Sequence, residues 1–116
     1  MVRDKLLTKS EYEKINFKMF KDKNFKYKKF EKKFYMNKKD LKIIDQYNHI
    51  IGLHSHSQFH RIGKLDIKTQ LKEYKKNINL LSGILNKPNN YFNSMSHPNG
   101  SYSSKTLTIL NNLGLK

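Results

Sequence analysis

The chain has no cysteine and no tryptophan, and its nine acidic residues face 24 lysines and arginines. The absence of cysteine closes both a disulfide framework and a thiolate metal site. Apolar runs stop after a few residues, far short of what a membrane-spanning helix needs. The first five residues, Met1-Val2-Arg3-Asp4-Lys5, contain no apolar stretch of the kind that opens a secretory signal, so a cytoplasmic location is the default expectation. Hydrophobic residues make up 36% of 116, and the mean hydropathy is −0.83. Such a chain builds a small core, and reads as one domain at most or a piece of one.

Arginine is nearly absent too. Arg3 and Arg61 are the two arginines behind a formal charge of +15. Arginine is the usual residue for bidentate contacts to phosphate and guanine. The charge therefore reads as a solvated lysine surface, and no nucleic-acid partner is expected. Lys, Asn, Ile and Tyr all have AT-rich codons, so genome composition accounts for the bias. Where the charge does bind a polyanion, an anionic glycan or an anionic membrane surface fits as well as nucleic acid.

Residues 9–35 are dense in lysine and aromatics, with Ser10 and Glu13 spaced as a capping box. The aromatics recur near helical spacing, which predicts amphipathic helices covering a neighbouring core. Asn37 reads as the cap of a helix over 38–47 with Leu41, Ile44 and Tyr47 on one face. Ile50–Leu53 reads as a short buried strand, and 55–63 as loop. Asp66 caps the clearest helix, whose Ile67, Leu71, Tyr74, Ile78, Leu81 and Leu85 recur every three or four residues. Pro88 ends it. Tyr91–Met95 reads as a second strand, His97–Gly100 as a turn, and Ser103 or Ser104 as the cap of a last helix carrying Leu107, Leu110 and Leu113. Strands alternating with helices predict an α/β fold with parallel strands in βαβ units. In such a sheet the loops after the strands carry the chemistry, and both histidine-bearing loops follow a strand.

The first of these loops places His54, His56 and His60 within seven residues. Neutral imidazoles after a strand and a glycine suit zinc or a similar divalent ion, and equally a plain polar loop. No acidic residue lies near them in sequence to complete a His-His-carboxylate set. His49 reads as a surface residue and His97 as part of its turn.

Ile51-Gly52-Leu53-His54-Ser55 and Ser96-His97-Pro98-Asn99-Gly100-Ser101-Tyr102, with Thr106-Leu107 through Leu113-Gly114, resemble the second and third motifs of the polysaccharide deacetylase family (the NodB-homology domain, carbohydrate esterase family four). The resemblance covers residues 34–116 as a partial domain, with 1–33 as a basic helical segment ahead of it. It implies a fragment of a distorted (β/α) barrel of the glycoside hydrolase and deacetylase type. It also implies metal-dependent hydrolysis of acetyl groups from an amino sugar or acylated polysaccharide, zinc being the expected metal. On this reading His54 is the first histidine ligand and Gln58 stands where the second belongs, as a weak substitute. His60, or His56 with a rearranged loop, is the alternative. Ser55, His56, Pro98, Asn99, Gly100 and Tyr102 line the substrate groove; Asn99 replaces an aromatic and Ser96 an arginine. The aspartate pair of the first motif and the late histidine have no counterpart here, so no catalytic residue is assigned. The expected partners are a carbohydrate and a missing N-terminal part of the same domain. A non-catalytic carbohydrate-binding protein on the same fold is the competing reading.

Overall fold

The computed structural model describes residues 6–115; residues 1–5, read above for a leader, lie outside it. The chain divides into two compact units, Met1–Asn37 and Lys38–Lys116.

The first unit holds α1 (Lys9–Asp22) and α2 (Tyr27–Phe34). The cap of α1 is Thr8, not Ser10. Thr8 stays extended, its hydroxyl oxygen accepts the Glu11 N–H at 3.3 Å, and the Glu11 carboxylate accepts the Thr8 N–H at 2.7 Å. Two overlapping capping-box spacings compete here, and the upstream one adds a half-turn of helix, leaving Ser10 inside.

The second unit holds α3 (Lys38–Gln46), α4 (Ile67–Leu85) and α5 (Ser104–Asn112), with α4 packed against both others. Asp66 starts α4 as read: its carboxylate accepts the Thr69 N–H at 2.9 Å and the Thr69 hydroxyl at 2.6 Å. These bonds, the hydroxyl first, hold the Asp66 carboxyl below its ordinary pKa. Asn86 ends the helix in the left-handed conformation, where asparagine is tolerated. Tyr74, Ile78 and Leu85 of the apolar stripe are buried, whereas Ile67 is half exposed. Buried Gln70 and Glu73 sit beside them.

The core gathers Leu53, Ile62, Tyr74, Ile78, Leu85, Phe92, Ile109, Leu110 and Leu115. Each such side chain contributes about 1.5–3 kcal/mol on burial. In α5 the inward face runs through Thr106, Ile109 and Leu110, and Leu107 points outward. Tyr47 lies past the end of α3 and is exposed.

The expected strands are reduced to one parallel bridge, Leu53 with Met95. Its two hydrogen bonds run from Leu53 N–H to Ser94 O at 2.9 Å and from Ser96 N–H to Leu53 O at 3.0 Å. The parallel sense is as expected, but among the described residues no strand forms and no barrel is present. The physical reason is local. Parallel strands need apolar cover on both faces, and these segments place Asn48, His49, Ile50, Asn90 and Asn93 on the surface. Tyr91, expected to open the second strand, instead closes a helical turn over Asn89–Tyr91. The turn is tied to α3 by the Tyr91 hydroxyl, which donates to Asp45 Oδ1 at 2.7 Å, and by Lys87 Nζ, 3.4 Å from Asp45 Oδ2.

Candidate functional site

The bridge brings the two motif segments side by side. One residue past Leu53, the His54 N–H donates to Asn77 Oδ1 of α4 at 3.0 Å. The imidazole Nδ1 lies 2.9 Å from the Ser96 carbonyl oxygen and 2.9 Å from Ser96 Oγ. A carbonyl oxygen only accepts, so this contact assigns the proton to Nδ1 and leaves the Nε2 lone pair for a ligand. Metal-binding imidazoles are commonly oriented by such a bond. Ser96 thus orients His54 through its backbone.

The loop after His54 is braced from α4. Glu73 is buried; its Oε2 accepts the Ser57 N–H at 2.8 Å and its Oε1 the Ser57 hydroxyl at 3.3 Å. No acidic residue adjoins this loop in sequence, yet the fold supplies one as a brace. Its signal was a lone carboxylate beside an apolar stripe. His56 is exposed, with Nδ1 3.1 Å from Ser57 Oγ. Gln58 is exposed with φ 46°. Ser55 is buried with φ 85°, and its hydroxyl has no hydrogen-bond partner among the described residues. His60 is half-buried.

The second loop is a tight turn, Pro98–Gly100, with Asn99 at φ 52° and Gly100 at φ 65°. The His97 ring stacks on Tyr102, centroids 4.9 Å apart and planes at 24°. The His97 Nδ1 is buried without a partner among the described residues, and burial holds the ring below its ordinary pKa. Pro98 is buried; Asn99 and Tyr102 are exposed. The two loops also meet at Gly63, whose N–H donates to Ser101 Oγ at 3.1 Å.

Zinc needs several nitrogen, sulfur or carboxylate donors at one point. Among the described residues no group of three His, Cys, Asp or Glu side chains is placed to hold a metal ion. The residues present do not fit a closed zinc site. His54, Asn77 and Ser96 converge, whereas His56 turns its Nδ1 to Ser57 and Gln58 is exposed. Sequence reading missed Asn77, Glu73 and Gly63. Asn77 and Glu73 are polar positions beside the apolar stripe of α4, and Gly63 had no local signal.

Comparison with known proteins finds relatives of the chain as a whole. The profile described as polysaccharide deacetylase matches residues 8–116. A carbohydrate esterase family 4 pseudoenzyme from Bacillus anthracis superposes with a TM-score of 0.61 at 18% identity over 68% of this chain. A mutant of that pseudoenzyme with restored enzymatic activity superposes with the same TM-score and identity. The chain spans 27–28% of the length of those solved structures. No curated protein matches it.

Proposed function

The chain belongs to the polysaccharide deacetylase family, and from that premise we propose that it forms one wall of a groove for an acylated amino sugar. Domains of this family are generally metal-dependent deacetylases. The observation that carries the reading is the His54 contact with Ser96, which joins the two motif segments and turns Nε2 toward a ligand. His54 is the metal-facing residue. Ser55, His56, Pro98, Asn99, Gly100 and Tyr102 are the sugar-facing ones. Ser55 Oγ and His97 Nδ1 are buried without a partner among the described residues, but so is the Tyr74 hydroxyl in the core, and these atoms do not by themselves mark a ligand.

No hydrolytic step runs through these residues alone. A hydrolytic metal site needs a closed donor set and a base, and Gln58 offers a weaker donor where the family has imidazole. Binding of acylated carbohydrate without turnover therefore fits this chain by itself, and zinc belongs to the complete family domain. Titration calorimetry tests the reading. Wild type should bind zinc weakly, His54→Ala should abolish that binding, and Gln58→His should tighten it by about tenfold or more. Equal zinc affinity for all three proteins would refute the assignment of His54.

A further inference from the structure

The first unit carries a row of aromatic rings that the groove does not use. Phe20 and Phe25 have centroids 5.3 Å apart, Phe25 and Phe30 5.0 Å at 15°, and Phe30 and Phe34 6.4 Å at 11°. The row borders an apolar concavity of about 550 Å³ lined by Phe20, Phe25, Phe30, Glu31, Phe34 and Tyr35. Phe34 and Tyr35 are about three-quarters exposed, and the neighbouring Met36 nearly two-thirds. Around them residues 6–37 hold ten lysines against four carboxylates, and no arginine. Lys21, Lys23, Lys26, Lys28 and Lys29 are exposed.

We propose that this unit docks on an anionic bilayer, with the aromatic row below the headgroups, an acyl chain in the concavity, and the lysines at lipid phosphates. Phenylalanine on one side of a short helix and lysine on the other is the pattern of an interfacial helix. Lysine stems reach up from an apolar layer to the phosphate level. Each lysine near an anionic surface strengthens partition roughly fivefold. The ring geometry weighs against nucleic acid, since Phe25 and Phe30 are covered by stacked neighbours and Phe34 keeps one outer face. Base recognition needs open ring faces, and Phe25, Phe30 and Phe34 are stacked on one another. The absence of arginine points the same way. The proposal is independent of the deacetylase reading.

The test is co-sedimentation of the full chain with vesicles of equal phosphatidylglycerol and phosphatidylcholine, and with phosphatidylcholine alone. Binding should be at least about tenfold stronger to the anionic vesicles and fall with salt. Lys28→Glu with Lys29→Glu should weaken it, and Phe30→Ser with Phe34→Ser should lower it by about tenfold or more. Should the double serine variant lose helix by circular dichroism, Phe34→Trp keeps the row intact. Its tryptophan emission should shift to the blue on anionic vesicles and be quenched by brominated lipid. Vesicle binding that a folded Phe30→Ser, Phe34→Ser variant retains in full would overturn the proposal. So would unshifted Phe34→Trp emission. The same holds if a thymidine oligonucleotide, or a second copy of the chain in sedimentation velocity, occupies the row in place of lipid.

Discussion

Gly63→Ala should loosen the junction between the two histidine-bearing loops. A Cβ built on Gly63 would lie 2.6 Å from the Tyr102 carbonyl carbon, 2.8 Å from its Cα and 2.8 Å from its oxygen. Ordinary carbon contacts are about 3.5–4.0 Å, so the backbone of Tyr102 must move by nearly an ångström. The contacts are backbone, so no rotamer change relieves them. Overpacking of this kind costs about 1–3 kcal/mol. The displacement also threatens the Gly63–Ser101 hydrogen bond, worth about 0.5–1.5 kcal/mol. Reduced freedom of the unfolded chain returns about 0.4–1 kcal/mol. The net expectation is a loss of about 2 kcal/mol by urea denaturation. Gly83→Ala is the internal control: it lies within α4 with nothing within 4 Å of the added methyl, and should stabilise by about 0.5–1 kcal/mol. A Gly63→Ala protein within about 0.5 kcal/mol of wild type would refute the packing argument. So would equal shifts at the two glycines.

Other outcomes follow from single contacts. Thr106 Oγ1 donates to Gln70 Oε1 at 2.7 Å in the buried interface of α4 and α5. Thr106→Val should cost about 1–3 kcal/mol, and a cycle with Gln70→Leu should show strong coupling in urea melts. Burial lowers the His97 pKa from 6.5, so the unfolded chain takes up its proton first as pH falls. Stability should therefore drop as pH falls through about 6.5 and below, and His97→Phe should flatten that slope in thermal melts. Nitrogen NMR above neutral pH should find the His54 proton on Nδ1; a proton on Nε2 would remove the orientation argued here. Ser55→Gly should raise stability by about 1–3 kcal/mol, measured in urea, while weakening zinc or sugar binding.

Much of the second unit was legible because its signals are local. The Asp66 cap, the stripe from Leu71 to Leu85 and the Ser103 cap each depend on residues a turn apart. The parallel sense of Leu53 and Met95 followed from the helix between them. The extent of pairing did not follow, because strand length depends on cover from other elements, and Ile50, read as core, is 84% exposed. The burial of Gln70 and Glu73 on a helix goes with partners far along the chain, Thr106 for Gln70 and Ser57 for Glu73. At the site the sequence marked His54 but not what orients it. Asn77 and Ser96 lie 23 and 42 residues away, and their backbone-directed contacts leave no residue pattern.

The backbone strain around His54 is where fold and function part. Among the described residues outside glycine, left-handed conformations fall on Asn24, Asn48, Asn86 and Asn99, where the side chain tolerates them, and on Ser55 and Gln58. Ser55 and Gln58 are thus the non-asparagine cases, and both lie in the loop following His54. At Ser55 the conformation costs about 1–3 kcal/mol, and its buried, unpartnered hydroxyl adds a desolvation cost. Glycine would remove both costs at once. Stability alone therefore does not account for serine here. The brace from Glu73 to Ser57 holds the loop in that conformation, so the strain is sustained by packing against α4 rather than by the loop itself. Releasing the brace with Glu73→Ala should relax Ser55 and Gln58 together, seen in their backbone chemical shifts by NMR, while the His54 tautomer, anchored separately by Ser96, should persist.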